Sequence, residues 1–453
     1  MKHWCYNSIF YHIYPLGFCG VLYKNNYTNK SENRLHLICD EINHLKEINI
    51  NALYLGPVFE STYHGYDTVD YYNVDRRLGN NDDLKYLIEK LHENNIKVVL
   101  DCVFNHVGRE FWAFRDVLQN KENSAYCDWF SGLNFNSNNG YNDNLSYEGW
   151  HNYYDLVKLN LNNYFVKEHL FNAVKMWIEK FNIDGLRIDA ADCMDLTFLN
   201  DLSKMTKSIK SDFWIVGEVV HGDYRKYVYE GGLDSVTNYE GYKGLYSSHN
   251  DNNFFEIAYT LNRQFAWNGI YKNIPLYNFV DNHDVNRVSS TAAKDLYLYT
   301  IYGLLFTIPG IPYIYYGSEW GINGTKENNS DNNLRPSYEQ IKNSELLNKP
   351  LFEAIKKLSL IRLNSQALKY GSYEQVYLNH NLLAFIRQVE EEFILVVINS
   401  DNTSVKLNIN YEFGSSIKFV DLINNDEIFY STEKGIIIEN VYPNWIRILK
   451  AIK

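Results

Sequence analysis

The chain contains no run of about 18 apolar residues long enough to cross a membrane as a helix, no Cys-x-x-Cys pair and no surplus of positive charge. With 43 Lys and Arg against 55 Asp and Glu, its formal net charge is −12. Nucleic acids and anionic membrane surfaces both require clustered cations, so neither is expected as a partner. The six cysteines, Cys5, Cys19, Cys39, Cys102, Cys127 and Cys193, are scattered. That spacing argues against zinc and for thiols kept reduced in a cytoplasm. The opening Met1-Lys2-His3-Trp4-Cys5 carries no apolar leader, which supports the same localisation. No repeat of about 20–50 residues is visible.

What remains is a long chain of ordinary globular balance. Its 453 residues suggest two or three domains. The 39 tyrosines and 9 tryptophans mostly fill core and surface, but their flat apolar faces and polar tips also suit a neutral polar ligand such as a sugar.

Eight apolar, strand-like runs occur at Ile9–Tyr14, Ala52–Leu55, Lys97–Val103, Leu186–Ala190, Trp214–Val219, Leu233–Val236, Tyr277–Val280 and Pro312–Tyr316. Runs apolar throughout fit parallel strands covered on both faces. Between them lie stretches of helical period, such as Leu84, Leu87, Ile88 and Leu91, or Leu170, Val174, Trp177 and Ile178, or Leu199, Leu202 and Met205. Eightfold alternation of this kind predicts an α/β fold, a (β/α)8 TIM barrel, with a doubly wound sheet as the alternative. The barrel is expected over residues 1–106 and 162–372. It is interrupted after the third strand by a small inserted domain, 107–161, rich in Asn, Gly and aromatics. Short strand-like runs after about Ser372, at Leu382–Arg387, Phe393–Asn399, Val405–Ile409, Ser416–Val420 and Ile436–Ile438, predict a C-terminal antiparallel β-sandwich, 373–453.

Charged residues interrupt the apolar runs at or just past their C-terminal ends. The third run closes Asp101-Cys102-Val103-Phe104-Asn105-His106, the fourth carries Arg187 and Asp189, the fifth ends at Glu218, and the seventh leads into Asp281-Asn282-His283-Asp284. In a barrel these positions converge on one mouth. Taken singly, each has a plain structural reading; Arg187 and Asp189, two apart on one strand, could be an ordinary ion pair. Together they are costly to collect for packing alone. Paired carboxylates with cationic partners are the equipment for cleaving glycosidic bonds.

These four segments resemble the signature regions of the α-amylase family of glycoside hydrolases, and Tyr63-His64-Gly65-Tyr66-Asp67 is similar to its stacking-tyrosine motif. The resemblance implies a retaining hydrolase of α-1,4-glucosidic bonds in maltooligosaccharides. It assigns Asp189 as nucleophile, Glu218 as acid/base and Asp284 as third carboxylate. It further implies that Tyr66, His106, Arg187 and His283 hold the sugar at the cleaved bond. Asp331 and Arg335 resemble the pair that grips the next sugar. The segment Leu156-Val157-Lys158-Leu159-Asn160 resembles the neopullulanase and cyclomaltodextrinase branch, here without its N-terminal β module. Ala190, after the nucleophile position, is small, which in the family goes with α-1,4 specificity.

One departure bears on metal. Family members with structural calcium use the position of Asn105 and a histidine where this chain has Cys193, so the expectation is no cofactor and no metal. Two rivals share much of the pattern: a glucosyltransferase on the same scaffold, and a non-catalytic sugar-binding relative, which would be expected to lack one of the three carboxylates. The expected partner is an α-glucan oligosaccharide; the residues leave the oligomeric state open.

Overall fold

The structure is a computed structural model that describes residues 3–28, 30–327, 330–344 and 347–452. All eight expected barrel strands are present, as β1 (Phe10–Ile13), β2 (Ala52–Leu55), β3 (Lys97–Cys102), β4 (Gly185–Ile188), β5 (Trp214–Gly217), β6 (Ser235–Val236), β7 (Tyr277–Asn278) and β8 (Ile311–Tyr315). They form one parallel sheet in the order β6-β5-β4-β3-β2-β1-β8-β7. A parallel bridge between Thr237 and Tyr277 joins its two edges and closes the barrel. This TIM barrel replaces the doubly wound alternative.

Six strands are shorter than their apolar runs, and in two of them, β4 and β6, the cause is visible. β4 stops before Ala190 because the backbone turns left-handed there, at φ 45° and ψ 41°. β6 omits Leu233, whose side chain is buried behind Gly217 instead of entering the ladder. The barrel interior is a plug of aromatic and branched side chains, among them Phe10, Tyr54, Val99, Trp214, Tyr277, Phe279 and Tyr313. Such a plug is a packed core and confines any ligand to the mouth.

The helices follow the periodic faces. In the helix Asn81–Glu93, Leu84, Leu87, Ile88 and Leu91 are all buried, and Asn80 and Asp83 form a capping box at its start. After β2 an antiparallel pair, Phe59–Ser61 with Thr68–Val74, carries the Tyr63–Asp67 loop. After β3, the strand His106–Gly108 pairs with Tyr153–Lys158, which pairs in turn with Gly149–Trp150. This small sheet and the helix Trp112–Asn120 give the segment between β3 and the helix Tyr164–Met176 its own structure.

Beyond the helix Gln366–Tyr370 the chain forms an eight-stranded antiparallel sheet. Five of its strands lie on the expected runs. Ser372–Leu378, Ile428–Thr432 and Trp445–Ile452 are additional.

This sheet meets the barrel through the helix Tyr297–Thr307, all of whose residues except Tyr299 are buried. A Cβ on Gly303 would stand 3.0 Å from Ile446 Cδ1, so glycine permits the close approach. Two buried arginines without carboxylate partners hold the end of that helix. Arg362 donates to the carbonyls of Phe306 (2.9 Å), Ile308 (3.2 Å) and Gly310. Arg387 donates to those of Thr307 (2.5 Å), Gly371 (3.1 Å) and Ser372 (3.0 Å). Cations at a helix C-terminus oppose its dipole and satisfy its orphan carbonyls. Burial depresses both guanidinium pKa values, that of Arg362 to about 9. Replacing Arg387 by Met removes three hydrogen bonds and leaves buried carbonyls unpaired. Urea unfolding should show a loss of about 3 kcal/mol; a loss below about 0.5 kcal/mol, the scale of an ordinary surface change, would mean the clamp contributes little.

Candidate active site

The strand ends bring the expected residues to the barrel mouth, and the register explains how. Asp101 pairs with Arg187 across β3 and β4, and Arg187 pairs with Val216 across β4 and β5. Arg187 is therefore flanked by the ends of both neighbouring strands. Its Nη1 lies 2.9 Å from Asp101 Oδ1 and 2.8 Å from Asp189 Oδ1; its Nη2 lies 2.7 Å from Glu218 Oε1. One buried guanidinium thus touches three carboxylates. Burial alone would lower its pKa, but Asp101 and Glu218 outweigh that and raise it.

Each carboxylate has further donors. Asp101 Oδ2 accepts from Tyr54 (2.6 Å) and Tyr66 (3.0 Å). Glu218 Oε2 accepts from the Ala190 N–H (3.1 Å), which the left-handed turn after β4 directs toward β5. Glu218 Oε1 is 3.2 Å from the Tyr239 hydroxyl, which in turn accepts from Asn282 Nδ2 (3.2 Å). Asp189 Oδ1 is held by Arg187, and Oδ2 has no hydrogen-bond donor among the described residues. Burial pushes the Asp189 carboxyl well up; Arg187 pulls against it, while Glu218 and Asp101 add to the rise. Arg187 and Asp189 are thus more than an ordinary ion pair, since one guanidinium is shared among three acids.

The loop after β7 supplies Asp284. Its carboxylate lies 3.0 Å from both His283 Nε2 and Arg335 Nη2. Its side chain is 38% accessible, and the surrounding protein would still raise its pKa, yet His283 and Arg335 hold it far below the ordinary carboxylate range. Asn282 Oδ1 fixes the turn by accepting from the Asp284 N–H (2.8 Å) and the Val285 N–H (3.1 Å). Arg335 also bonds Asp331 Oδ2 (3.0 Å) and the His283 carbonyl (3.1 Å), and lies 4.5 Å over the Tyr14 ring.

The aromatic and imidazole groups stack beside the acids. Tyr66 lies nearly parallel to His283, with ring centroids 5.3 Å apart, and their polar tips are hydrogen-bonded. Buried His106 packs against Trp150 at 5.6 Å; burial, with His64 adding, depresses its pKa to about 3, so it stays neutral. Its Nε2 has no partner among the described residues, and neither has Nδ1 of His283.

Every expected site residue lies in this mouth or on its rim. Asp101, Tyr54, Tyr239, Tyr14 and Asn282 join it without having been assigned a role from the sequence. Asp101 was visible at a strand end, but its pairing with Arg187 is a matter of register. Buried His12 on β1 was also unforeseen. It stacks on Tyr54 at 4.2 Å and meets His283 edge-on at 5.1 Å.

The family's calcium position is occupied here by Asn105 and Cys193. Asn105 Nδ2 is 3.3 Å from His106 Nδ1, and Cys193 offers a soft sulfur near Asp192. Among the described residues no group of three or more His, Cys, Asp or Glu converges as a metal site. None of the described helices is long and apolar enough to cross a membrane.

Comparison with known proteins agrees with this geometry. The family described as alpha amylase, catalytic domain, matches residues 25–352. A cyclomaltodextrinase of Thermoanaerobacter pseudethanolicus is 32% identical over 401 residues, covering 87% of this chain and 68% of that protein. An intracellular maltogenic amylase of Bacillus subtilis is 27% identical over 373 residues, 81% of this chain and 61% of its own length. The chain thus spans roughly two thirds of these relatives. Among solved structures, the debranching enzyme of Nostoc punctiforme superposes with a TM-score of 0.82 at 26% identity, over 99% of this chain and 100% of that one. Sequence match, barrel and strand-end acids agree, and the chain belongs to the α-amylase family of glycoside hydrolases, enzymes acting on α-glucosidic bonds.

Proposed function

We propose that this protein is a retaining hydrolase of α-1,4-glucosidic bonds in maltooligosaccharides. The observation that carries this reading is Arg187, whose two terminal nitrogens hold Asp189 and Glu218 at the ends of adjacent strands. In this mechanism the free Oδ2 of Asp189 attacks the anomeric carbon. The bond to the leaving oxygen breaks, and that oxygen takes a proton from Glu218. Water then attacks the glycosyl–Asp189 ester, gives a proton to Glu218 and releases the sugar with its configuration retained. Asp284 and neutral His106, with His283, orient the sugar hydroxyls. Tyr66 stacks on its ring, and Asp331 and Arg335 bind the next unit.

The substrate class follows the family, and a cyclodextrin or pullulan specificity is the alternative within the branch. The six cysteines are all free, which is compatible with action inside the cell on short chains. The domain division expected above, at 106, 161 and 372, is retained as part of this reading.

The decisive experiment is product analysis on maltoheptaose, with the anomer first released identified by NMR. Retention is expected, and Asp189→Asn and Glu218→Gln should each lower kcat by several orders of magnitude, in the range of about 10³–10⁶-fold, without unfolding the protein. Inverted product, or a variant keeping a tenth of the activity, would overturn the assignment. Glucosyl transfer to maltotriose in place of hydrolysis would select the transferase rival.

The pH profile tests the electrostatics. Ionised Asp189 is the required form, and its pKa is raised. Activity is therefore lost as pH falls through that raised value, and the acid limb of kcat/KM should lie above the value of about 3.9 for a free aspartate. A limb at or below that value would show that Arg187 dominates.

Catalysis of this type is carboxylate chemistry, so dialysis against EDTA should leave kcat within about twofold. Complete loss of activity restored by calcium alone would refute metal independence.

A further inference from the structure

The loop after β1 displays Leu22 and Tyr23, each 65% exposed. The Tyr23 ring lies 5.4 Å from that of Tyr63, tilted by 43°, and the Lys24 ammonium stands 5.6 Å over Tyr63. These side chains bury little, yet their backbone is firmly held. Arg77, buried and paired with Asp75 at 2.7 Å, donates through Nη1 to the carbonyls of Leu22 (3.1 Å), Tyr23 (3.0 Å) and Tyr63 (2.8 Å). One guanidinium thereby ties the β1 loop to the β2 loop. The Tyr63 N–H is fixed separately by Asp67 Oδ2 at 2.8 Å.

Charge-assisted bonds to the backbone beneath an exposed ring and a half-buried one stabilise no core. They do pre-organise a partly apolar surface carrying two hydroxyls and an ammonium. The two loops follow the C-terminal ends of β1 and β2, so this surface belongs to the mouth face of the barrel. Tyr63 precedes Tyr66 by three residues, which span at most about 11 Å, so the platform lies near the cleaved bond but outside the stack of Tyr66 on His283. Two rings, a leucine and a lysine fall well short of the roughly 20–30 residues a side of a stable protein interface.

We propose that Tyr23 and Tyr63 form a stacking platform for a glucose unit of the α-glucan chain beyond the unit at the cleavage site, and that it sets a preference for longer chains. The inference rests on the α-glucan reading above. Kinetics on maltotriose and maltoheptaose test it. Tyr23→Ala should lower kcat/KM on maltoheptaose about 3- to 10-fold, mainly through KM, as expected for one lost aromatic contact. Maltotriose should change by less than about twofold, and Tyr23→Phe should restore the wild-type ratio, because the ring and not the hydroxyl stacks. Equal losses on both substrates, or no loss on maltoheptaose, would overturn the platform. Calorimetry of maltoheptaose binding to Glu218→Gln, with and without Tyr23→Ala, separates the two claims. Binding weakened by Tyr23→Ala supports the platform even if the wild-type protein hydrolyses nothing, in which case it is the hydrolase reading that fails. Unchanged binding overturns the platform alone.

Discussion

Arg187 is a single positive charge shared among Asp101, Asp189 and Glu218, all of them buried or nearly so. One cation against three acids leaves the cluster with excess negative potential if all are ionised. Water is largely excluded, so the deficit must be met by fixed dipoles. It is met by the hydroxyls of Tyr54, Tyr66 and Tyr239 and by the Ala190 N–H. These donors solvate the acids without neutralising them. A site built this way is electrostatically prepared for positive charge developing at an anomeric carbon, because the compensating potential exists before substrate arrives. Burial raises the Asp189 pKa, and the same potential that would favour an oxocarbenium-like centre adds to that rise by disfavouring a third negative charge.

The backbone geometry around this cluster is equally constrained. Ala190 adopts a left-handed conformation at φ 45°, which costs a non-glycine residue about 1 kcal/mol or more. The turn ends β4 immediately after Asp189 and swings the Ala190 N–H onto Glu218. A β-branched side chain in that conformation would suffer more. The turn that links Asp189 and Glu218 thus disfavours a β-branched residue here, independently of whatever sugar lies above it. Gly217 contributes from the other side: a Cβ there would come within 2.4 Å of Leu233 and 3.0 Å of Ala191.

The barrel strands were legible because each lies in a mostly apolar run whose charges, such as Asp101 and Arg187, fall near its C-terminal end, a pattern that survives without knowing its neighbours. The additional C-terminal strands break that pattern for identifiable reasons. Trp445–Ile452 is interrupted by Arg447, fully buried but paired with Asp421 at 2.7 Å, and a charge in mid-run disguises a core strand. Ser372–Leu378 and Ile428–Thr432 are largely half-buried or exposed, so their alternation is weak. In the site, residues at strand ends could be located from sequence order alone. Asp101 opposite Arg187, Tyr54 beneath Asp101 and Tyr239 on Glu218 could not, because each contact depends on register or on a helix start that no local pattern encodes.

Arg335 couples the remaining acids in the same way that Arg187 couples the first three. It bonds Asp284, Asp331 and the His283 carbonyl at once, while its face covers Tyr14. Asp284 is the only one of the three catalytic-type carboxylates with substantial exposure, its side chain being 38% accessible. A hydroxyl arriving at Asp284 therefore meets a carboxylate already engaged by Arg335 and His283. It must share or displace those partners, and any change in Arg335 is felt at Asp331, four residues earlier in the chain. The two guanidinium-centred clusters meet at one point: Tyr66 donates to Asp101 on the Arg187 side, and its hydroxyl also contacts His283 on the Arg335 side. A sugar ring stacked on Tyr66 would lie over that junction, so its binding is bound to the geometry of both clusters.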